Sequence, residues 1–168
     1  MADTPAQQKA DVLIVDDEEV MLHSLGDWLR LQGFAPRLVT SGMAALDALQ
    51  QKKPDVAVVD IKMPGMDGIT LLRKIKEIDR NIPVVIITAH ATVENAVEAM
   101  KQGAYDYIMK PFPPEKLANV LSKVVRQQQL EAENVRLRQE RKTFLRIAIG
   151  VLVNFIVLAL LLYFVFGR

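Results

Sequence analysis

Apolar residues are arranged along this chain in two alternating rhythms. The first is the short unbroken run: Val12 to Val15, Val56 to Val59 and Val84 to Ile87 are Val, Ile, Leu and Ala bounded by polar or turn-forming residues. Strands buried on both faces of a parallel sheet read this way. The second is the spaced stripe. Val20, Leu22, Leu25, Trp28, Leu29 and Leu31 recur near helical spacing, as do Met43, Leu46 and Leu49, then Ile69, Leu72, Ile75 and Ile78. A fourth stripe comprises Val93, Ala96, Val97 and Met100. Together these predict strands over 11–15, 35–39, 56–60, 83–88 and 105–109, with a helix after each. Gly33 and Gly103 stand as helix stops, and Pro113-Pro114-Glu115 opens the last helix. Strand and helix alternating five times with short connectors imply parallel strands joined by right-handed crossovers. The predicted fold class is α/β, a doubly wound five-stranded parallel sheet over residues 11–125, preceded by a disordered stretch, 1–10.

The fifth helix does not stop where such a domain would be complete. Leu117, Val120, Leu121, Val124 and Val125 suit packing on the sheet, but from Arg126 to Lys142 the sequence is Gln, Glu and Arg with sparse Leu130, Val135 and Leu137. Leu130, Leu137 and Phe144 lie seven apart with Asn134 and Arg141 between them, a short and polar coiled-coil pattern. A solvated helical spacer over 126–146 and a dimerising helix both fit it. Ile147 to Phe166 is then an apolar stretch of 20 residues without a formal charge. At about 1.5 Å per residue it would reach roughly 30 Å, a bilayer's hydrocarbon thickness. Arg136, Arg138, Arg141, Lys142 and Arg146 precede it and Arg168 alone follows. The expectation is a single-pass C-terminal transmembrane helix with the N-terminal domain cytoplasmic.

Charge sharpens this division. The net charge of +1 conceals 12 Lys/Arg against 16 Asp/Glu in residues 1–114, and 9 against 4 in residues 115–168. The globular part therefore lacks a general basic surface for nucleic acid, and no direct nucleic-acid binding is expected. With no cysteine, disulfides and thiolate metal sites are excluded. Met1 to Asp11 is polar and includes Asp3, unlike a secretory signal peptide.

The candidate chemistry lies just past the predicted strand ends. Strand one leads into Asp16 and Asp17, strand three delivers Asp60, strand four Thr88, and strand five Lys110. In a parallel sheet these ends share one edge, where open α/β sheets place ligands. Like charges sharing a site push one another's pKa values up, which a hard divalent cation such as Mg²⁺ relieves with oxygen donors. A carboxylate held beside such an ion, an ammonium and a hydroxyl is equipped to accept a phosphoryl group. Singly, each residue has a bland explanation: Asp16 and Asp17 as helix caps, Asp60 as a turn former, Thr88 as a cap, Lys110 as a solvated lysine. All five at successive strand ends are much less easily explained so.

These residues carry a resemblance. The acidic pair Asp16-Asp17, the loop Asp60-x-x-Met63-Pro64-x-Met66-Asp67-Gly68, Thr88-Ala89 and Lys110-Pro111-Phe112 are similar to the receiver domains of two-component response regulators. Met63 to Gly68 and Gly103-Ala104-Tyr105-Asp106-Tyr107 most resemble receivers attached to sigma-54-type activators. The likeness covers about residues 10–125 and implies the flavodoxin-like receiver fold. It further implies that a sensor histidine kinase or a small phosphodonor phosphorylates Asp60 in a phosphorelay. Asp17 and Asp60 would then bind Mg²⁺ directly, Asp16 through water, and the Lys62 main-chain carbonyl would complete the protein ligands. Thr88 and Lys110 would hold phosphoryl oxygens, and Tyr107 would be the switch aromatic. The Lys110–Pro111 bond is often cis in the family. Lys62 and His90 occupy positions that tune dephosphorylation.

The expected protein is a membrane-anchored, phosphorylation-switched receiver. It is not an enzyme beyond catalysing its own phosphorylation and dephosphorylation. Its output would be contact with a downstream protein, or homodimerisation through the extended helix. Sigma-54-type activators continue into an ATPase domain and a helix-turn-helix, and neither motif follows in these 168 residues. A receiver-fold scaffold with incidental phosphorylation is the alternative. A free-standing phosphatase would need a cap or substrate pocket.

Overall fold

The computed structural model describes residues 9–166, with the side chains of 143 and 151–166 outside that description. The disordered stretch expected over 1–10 falls largely on residues 1–8, outside the described residues. Ten elements alternate in chain order: β1 (Asp11–Val15), α1 (Glu19–Leu31), β2 (Ala35–Val39), α2 (Gly42–Gln51), β3 (Val56–Asp60), α3 (Gly68–Ile78), β4 (Val84–Thr88), α4 (Val93–Lys101), β5 (Asp106–Met109) and α5 (Pro114–Phe166). The strands form one parallel sheet in the order β2-β1-β3-β4-β5. The chain divides into two compact units after Val125.

The sheet is buried on both faces because β1, β3 and β4 carry no polar side chain before their carboxyl ends, apart from Asp11. Alternate residues serve opposite cores. Leu13, Val15, Ala57, Val59, Val84 and Ile86 join Leu49, Leu71, Leu72 and Ile75 beneath α2 and α3. Val12, Ile14, Val56, Val58, Val85 and Ile87 join Leu22, Leu25 and Leu29 of α1 and Leu117, Leu121 and Val124 of α5. The result is three layers, as the alternation predicts.

Helix boundaries follow local chemistry. Ser41, Asp67 and Thr92 cap α2, α3 and α4 by accepting hydrogen bonds from the main-chain nitrogens of Ala44, Thr70 and Asn95. Past the ends of α1 and α4, Gly33 and Gly103 take φ near 90°, which favours glycine. The apolar stripes are less faithful. Val20 and Leu31 are exposed on α1, Ile78 on α3, and Val93, Val97 and Met100 on α4, where Ala99 alone is buried. Helix α4 lies against the edge strand β5, and the small Ala99 is the residue enclosed there.

Edge strand β2 is held by Arg37 as well as by its ladder. The guanidinium donates from Nε to Asp11 at 2.7 Å, and from its terminal nitrogens to the carbonyls of Ala48 (3.1 Å) and Lys52 (2.9 Å). It therefore ties β2 to β1 and to the end of α2. Replacing Arg37 with methionine leaves the buried Asp11 with only the exposed Lys52 ammonium, at 2.7 Å. We expect a loss of about 2 kcal/mol, read from denaturation midpoints. A change under roughly 0.5 kcal/mol, a surface value, would show that Lys52 suffices.

The sequence expectation of a membrane span over 147–166 falls on the last part of α5, mostly where side chains are not described. Among the described residues, no helix is long and apolar enough to cross a membrane. The reading as a membrane-anchored protein with a cytoplasmic receiver is corrected accordingly. It rested on the apolar composition of a single segment and its charged flank.

Candidate functional site at the carboxyl edge of the sheet

Between β1 and β3 the chain reverses the direction in which strands are added, and the flanking crossovers leave the sheet on opposite sides. Such a switch point opens a crevice at the carboxyl ends of its strands. Asp16 follows β1 and Asp60 ends β3, so the two carboxylates flank this crevice. Both are buried, with side chains 3% and 7% exposed.

Lys110, 94 residues from Asp16, joins them. It follows β5, its main-chain nitrogen donates to the Thr88 carbonyl at 2.8 Å, and the Lys110–Pro111 bond is cis. Its ammonium lies 2.6 Å from Asp16 Oδ2 and 3.0 Å from Asp60 Oδ1. The other oxygens are also held: Asp16 Oδ1 accepts from the Glu18 nitrogen at 3.0 Å, and Asp60 Oδ2 from the Lys62 nitrogen at 2.7 Å. Both carboxylates are thus fixed in orientation by backbone donors.

The electrostatics are those of a crowded buried pair. Burial pushes the Asp60 carboxyl above its usual range; Lys110 opposes this by hydrogen bond and charge, and Asp16 adds to it. Burial alone would lower the Lys110 ammonium, but the hydrogen bonds and charges of Asp16 and Asp60 outweigh it and raise it. Two carboxylates against one ammonium leave the buried cluster net negative.

The remaining predicted residues sit around this centre. Thr88 is fully buried, and its Oγ1 accepts from the His90 nitrogen at 3.1 Å. Asp17 is exposed beside Asp16, and Lys62 is exposed beyond Asp60. The Tyr107 hydroxyl is buried without a hydrogen-bond partner, and burial, then the charge of Asp60, raises its pKa. His90 and His23 are exposed. The structure therefore brings Asp16, Asp60 and Lys110 into direct contact and leaves Asp17 and the Lys62 side chain outside that contact.

For Mg²⁺ the donor set fits in kind and in charge: all oxygen, net negative, with Asp17 adjacent in sequence. In the arrangement described Lys110 offsets one of the two negative charges, and among the described residues no group of three or more His, Cys, Asp or Glu is placed to hold a metal ion.

One feature escaped sequence reasoning. A cavity of about 560 Å³ opens beside Lys110 and Ala89, walled by Met21, Leu25 and Trp28 of α1 and by Phe112. Trp28 reads in sequence as part of the stripe facing the core, yet it is only half-buried and lines this groove. Nothing local in the sequence signals it, because α1 and the loop after β5 are about 90 residues apart.

Comparison with known proteins agrees with this geometry. Residues 12–122 match the family described as response regulator receiver domain. The regulatory protein AtoC of Escherichia coli strain K12 is 38% identical over 132 residues, 79% of this chain and 29% of AtoC. The DNA-binding transcriptional regulator NtrC of the same strain is also 38% identical over 132 residues, 77% of this chain and 28% of NtrC. This chain thus spans under a third of the length of these relatives. Among solved structures, NtrX from Brucella abortus aligns with a TM-score of 0.71 at 34% identity, covering 77% of this chain and 29% of NtrX. A CheY-like receiver from Methanospirillum hungatei JF-1 aligns with a TM-score of 0.71 at 29% identity, covering 73% of this chain and 98% of its own. With its sheet order, its buried acidic pair and the match over 12–122, the chain belongs to the response regulator receiver domain family.

Proposed function

We propose that this receiver accepts a phosphoryl group on Asp60 from the phosphohistidine of a sensor histidine kinase, or from a small phosphodonor. The observation that carries the reading is the Lys110 ammonium bridging buried Asp16 and Asp60 at the switch point of the sheet. An Asp60 oxygen attacks phosphorus in line, the phosphorus–nitrogen bond to the donor histidine breaks, and the leaving imidazole nitrogen keeps the electron pair and takes up a proton. Lys110 leaves part of its pairing with Asp60 to meet the charge on the transferred oxygens. Thr88 Oγ1 exchanges its contact with the His90 nitrogen for a hydrogen bond to a phosphoryl oxygen. Asp16, Asp17, Asp60 and the Lys62 carbonyl would hold Mg²⁺, which when bound neutralises negative charge on the phosphoryl group. The groove beside Lys110 offers an apolar seat for the protein that carries the phosphohistidine.

Transfer to and from its own Asp60 is the only catalysis in this reading. The output is a change in protein contacts. A buried hydroxyl without a partner costs about 1–3 kcal/mol, and Tyr107 carries one; in this reading its ring changes rotamer when Thr88 moves. A scaffold role is less well supported, since a docking module needs no buried Asp16–Lys110–Asp60 cluster.

The test is direct. The protein is incubated with Mg²⁺ and a radiolabelled acyl phosphate or phosphoramidate, beside an Asp60→Asn variant. We expect acid-stable, base-labile label on the parent and none on the variant. Absence of label from a folded protein that binds Mg²⁺, with any donor or kinase, would leave the scaffold role standing.

A further inference from the structure

Helix α5 continues without a break well beyond the receiver unit. From 129 to 150 every side chain the structure describes is exposed, including Leu130, Leu137 and Phe144. The local supports include surface contacts such as Gln127 donating to Glu131 at 3.0 Å and Arg136 pairing with Glu140 at 3.0 Å. Such i,i+4 contacts add only a few tenths of a kcal/mol each, whereas most helices in proteins are stabilised by packing an apolar face. Within this unit, no described side chain of the segment finds such a face.

We propose that residues 126–147 pair with the same residues of a second copy as a parallel, in-register, two-stranded coiled coil. The heptad frame is set by Leu130, Leu137 and Phe144 at position d, which puts Gln127, Asn134 and Arg141 at position a. In that frame Arg126 and Glu133 fall at position g, and Glu131 and Arg138 at position e. A parallel pair sets each g residue against the e residue five positions on in the other helix. Arg126 then meets Glu131 of the second copy, and Glu133 meets Arg138 of the second copy. Each contact occurs twice by symmetry, and none is like-charged.

Asn134 fixes the rest. In register, its amide faces the amide of Asn134 in the second copy, where each can donate and accept. In an antiparallel pair it would face the apolar d side chains, in a pair shifted by one heptad Gln127 or Arg141, and in either it would lose that partner. A single asparagine at position a is the best-attested device for specifying two strands and one register, and it lowers stability in doing so. In the single helix the Asn134 amide donates to the Leu130 carbonyl at 2.8 Å, a bond it can exchange. Arg141 at position a adjoins Glu140 of the second copy, which tempers the repulsion between two arginines. With three polar a positions, association is weak and concentration-dependent.

The chain has no cysteine, so single cysteines report geometry without background. In the full chain under mild oxidation, Leu130→Cys is expected to form a disulfide-linked dimer, and Ala132→Cys, on the outer face of the frame, is not. Sedimentation equilibrium should show a monomer–dimer equilibrium. Glu133→Arg or Arg138→Glu alone should weaken it roughly tenfold, and the double variant Glu133→Arg/Arg138→Glu should restore it. A purely monomeric chain would overturn the proposal. So would equal crosslinking at 130 and 132, which signals unspecific clustering through apolar surface. Insensitivity to charge reversal, or crosslinking of Leu130→Cys only to variants near Phe144, would overturn the parallel register.

Discussion

Replacing Gly68 with alanine is expected to destabilise the receiver unit by roughly 3 kcal/mol and to slow phosphorylation of Asp60 severely. A Cβ at this position would stand 2.1 Å from the Asp60 carbonyl oxygen, 2.8 Å from its carbonyl carbon and 2.9 Å from the Ile61 Cα. All three are backbone atoms at the end of β3, with no flexible side chain to give way. The approach is close because the Gly68 nitrogen donates to the Ile61 carbonyl at 2.8 Å, bringing the start of α3 back over the strand that carries Asp60. Relief requires either α3 or the end of β3 to shift, which places the cost at the upper end of overpacking effects. The same substitution at Gly42 is the matched control. There a Cβ would meet the Met66 side chain, its sulfur at 2.9 Å, its Cβ at 3.0 Å and its Cγ at 3.1 Å; the thioether can move aside, and the Cβ contact is relieved by a few tenths of an ångström. Denaturation midpoints should separate the two variants by at least 2 kcal/mol. Equal midpoints would mean that the loop after Asp60 is far more compliant than its geometry implies.

Gly68 also shows where sequence reasoning was well founded. It stands in the run Met63-Pro64-Gly65-Met66-Asp67-Gly68, and both its place after Asp60 and its role at a helix start were legible. Central strands are legible because burial on both faces leaves no room for polar side chains, so β1, β3 and β4 read as unbroken apolar runs. The carboxyl edge follows once the strands are parallel, and with it the meeting of Asp16, Asp60 and Lys110. What sequence could not decide is which of two neighbours turns inward. Asp16 is buried and Asp17 exposed, although both are aspartates past the same strand. In α4 the stripe of Val93, Val97 and Met100 points to solvent while Ala99 is enclosed, because periodicity marks an apolar face without saying what covers it. The segment beyond Lys142 shows the same limit. Its composition prompted a membrane span, and the described helix does not bear that out.

Replacing Lys110 with methionine is the sharper probe of the site, because it removes a charge while nearly preserving an apolar stem. The Lys110 side chain is 12% exposed and is shared by two carboxylates that are more deeply buried. Without it Asp60 keeps the burial that raises its pKa and loses the interactions that oppose this. Breaking a buried ion pair from one side costs about 3–5 kcal/mol, since the abandoned charge finds no solvent. The expected loss is near 3 kcal/mol, because the Glu18 and Lys62 nitrogens still donate to the two carboxylates. The Asp60→Asn change should cost little by itself, since it removes one of two anions that share one cation. Combined with Lys110→Met it should recover about half of the lysine's cost, leaving Asp16 as the one unpaired anion. A double-mutant cycle on unfolding free energies reads this as a coupling of about 1–2 kcal/mol. Strict additivity would mean that Lys110 contributes through packing alone, and the charge-sharing account of the site would fall. A strong coupling would show that the ammonium and the Asp60 carboxylate are held together before any phosphoryl group arrives.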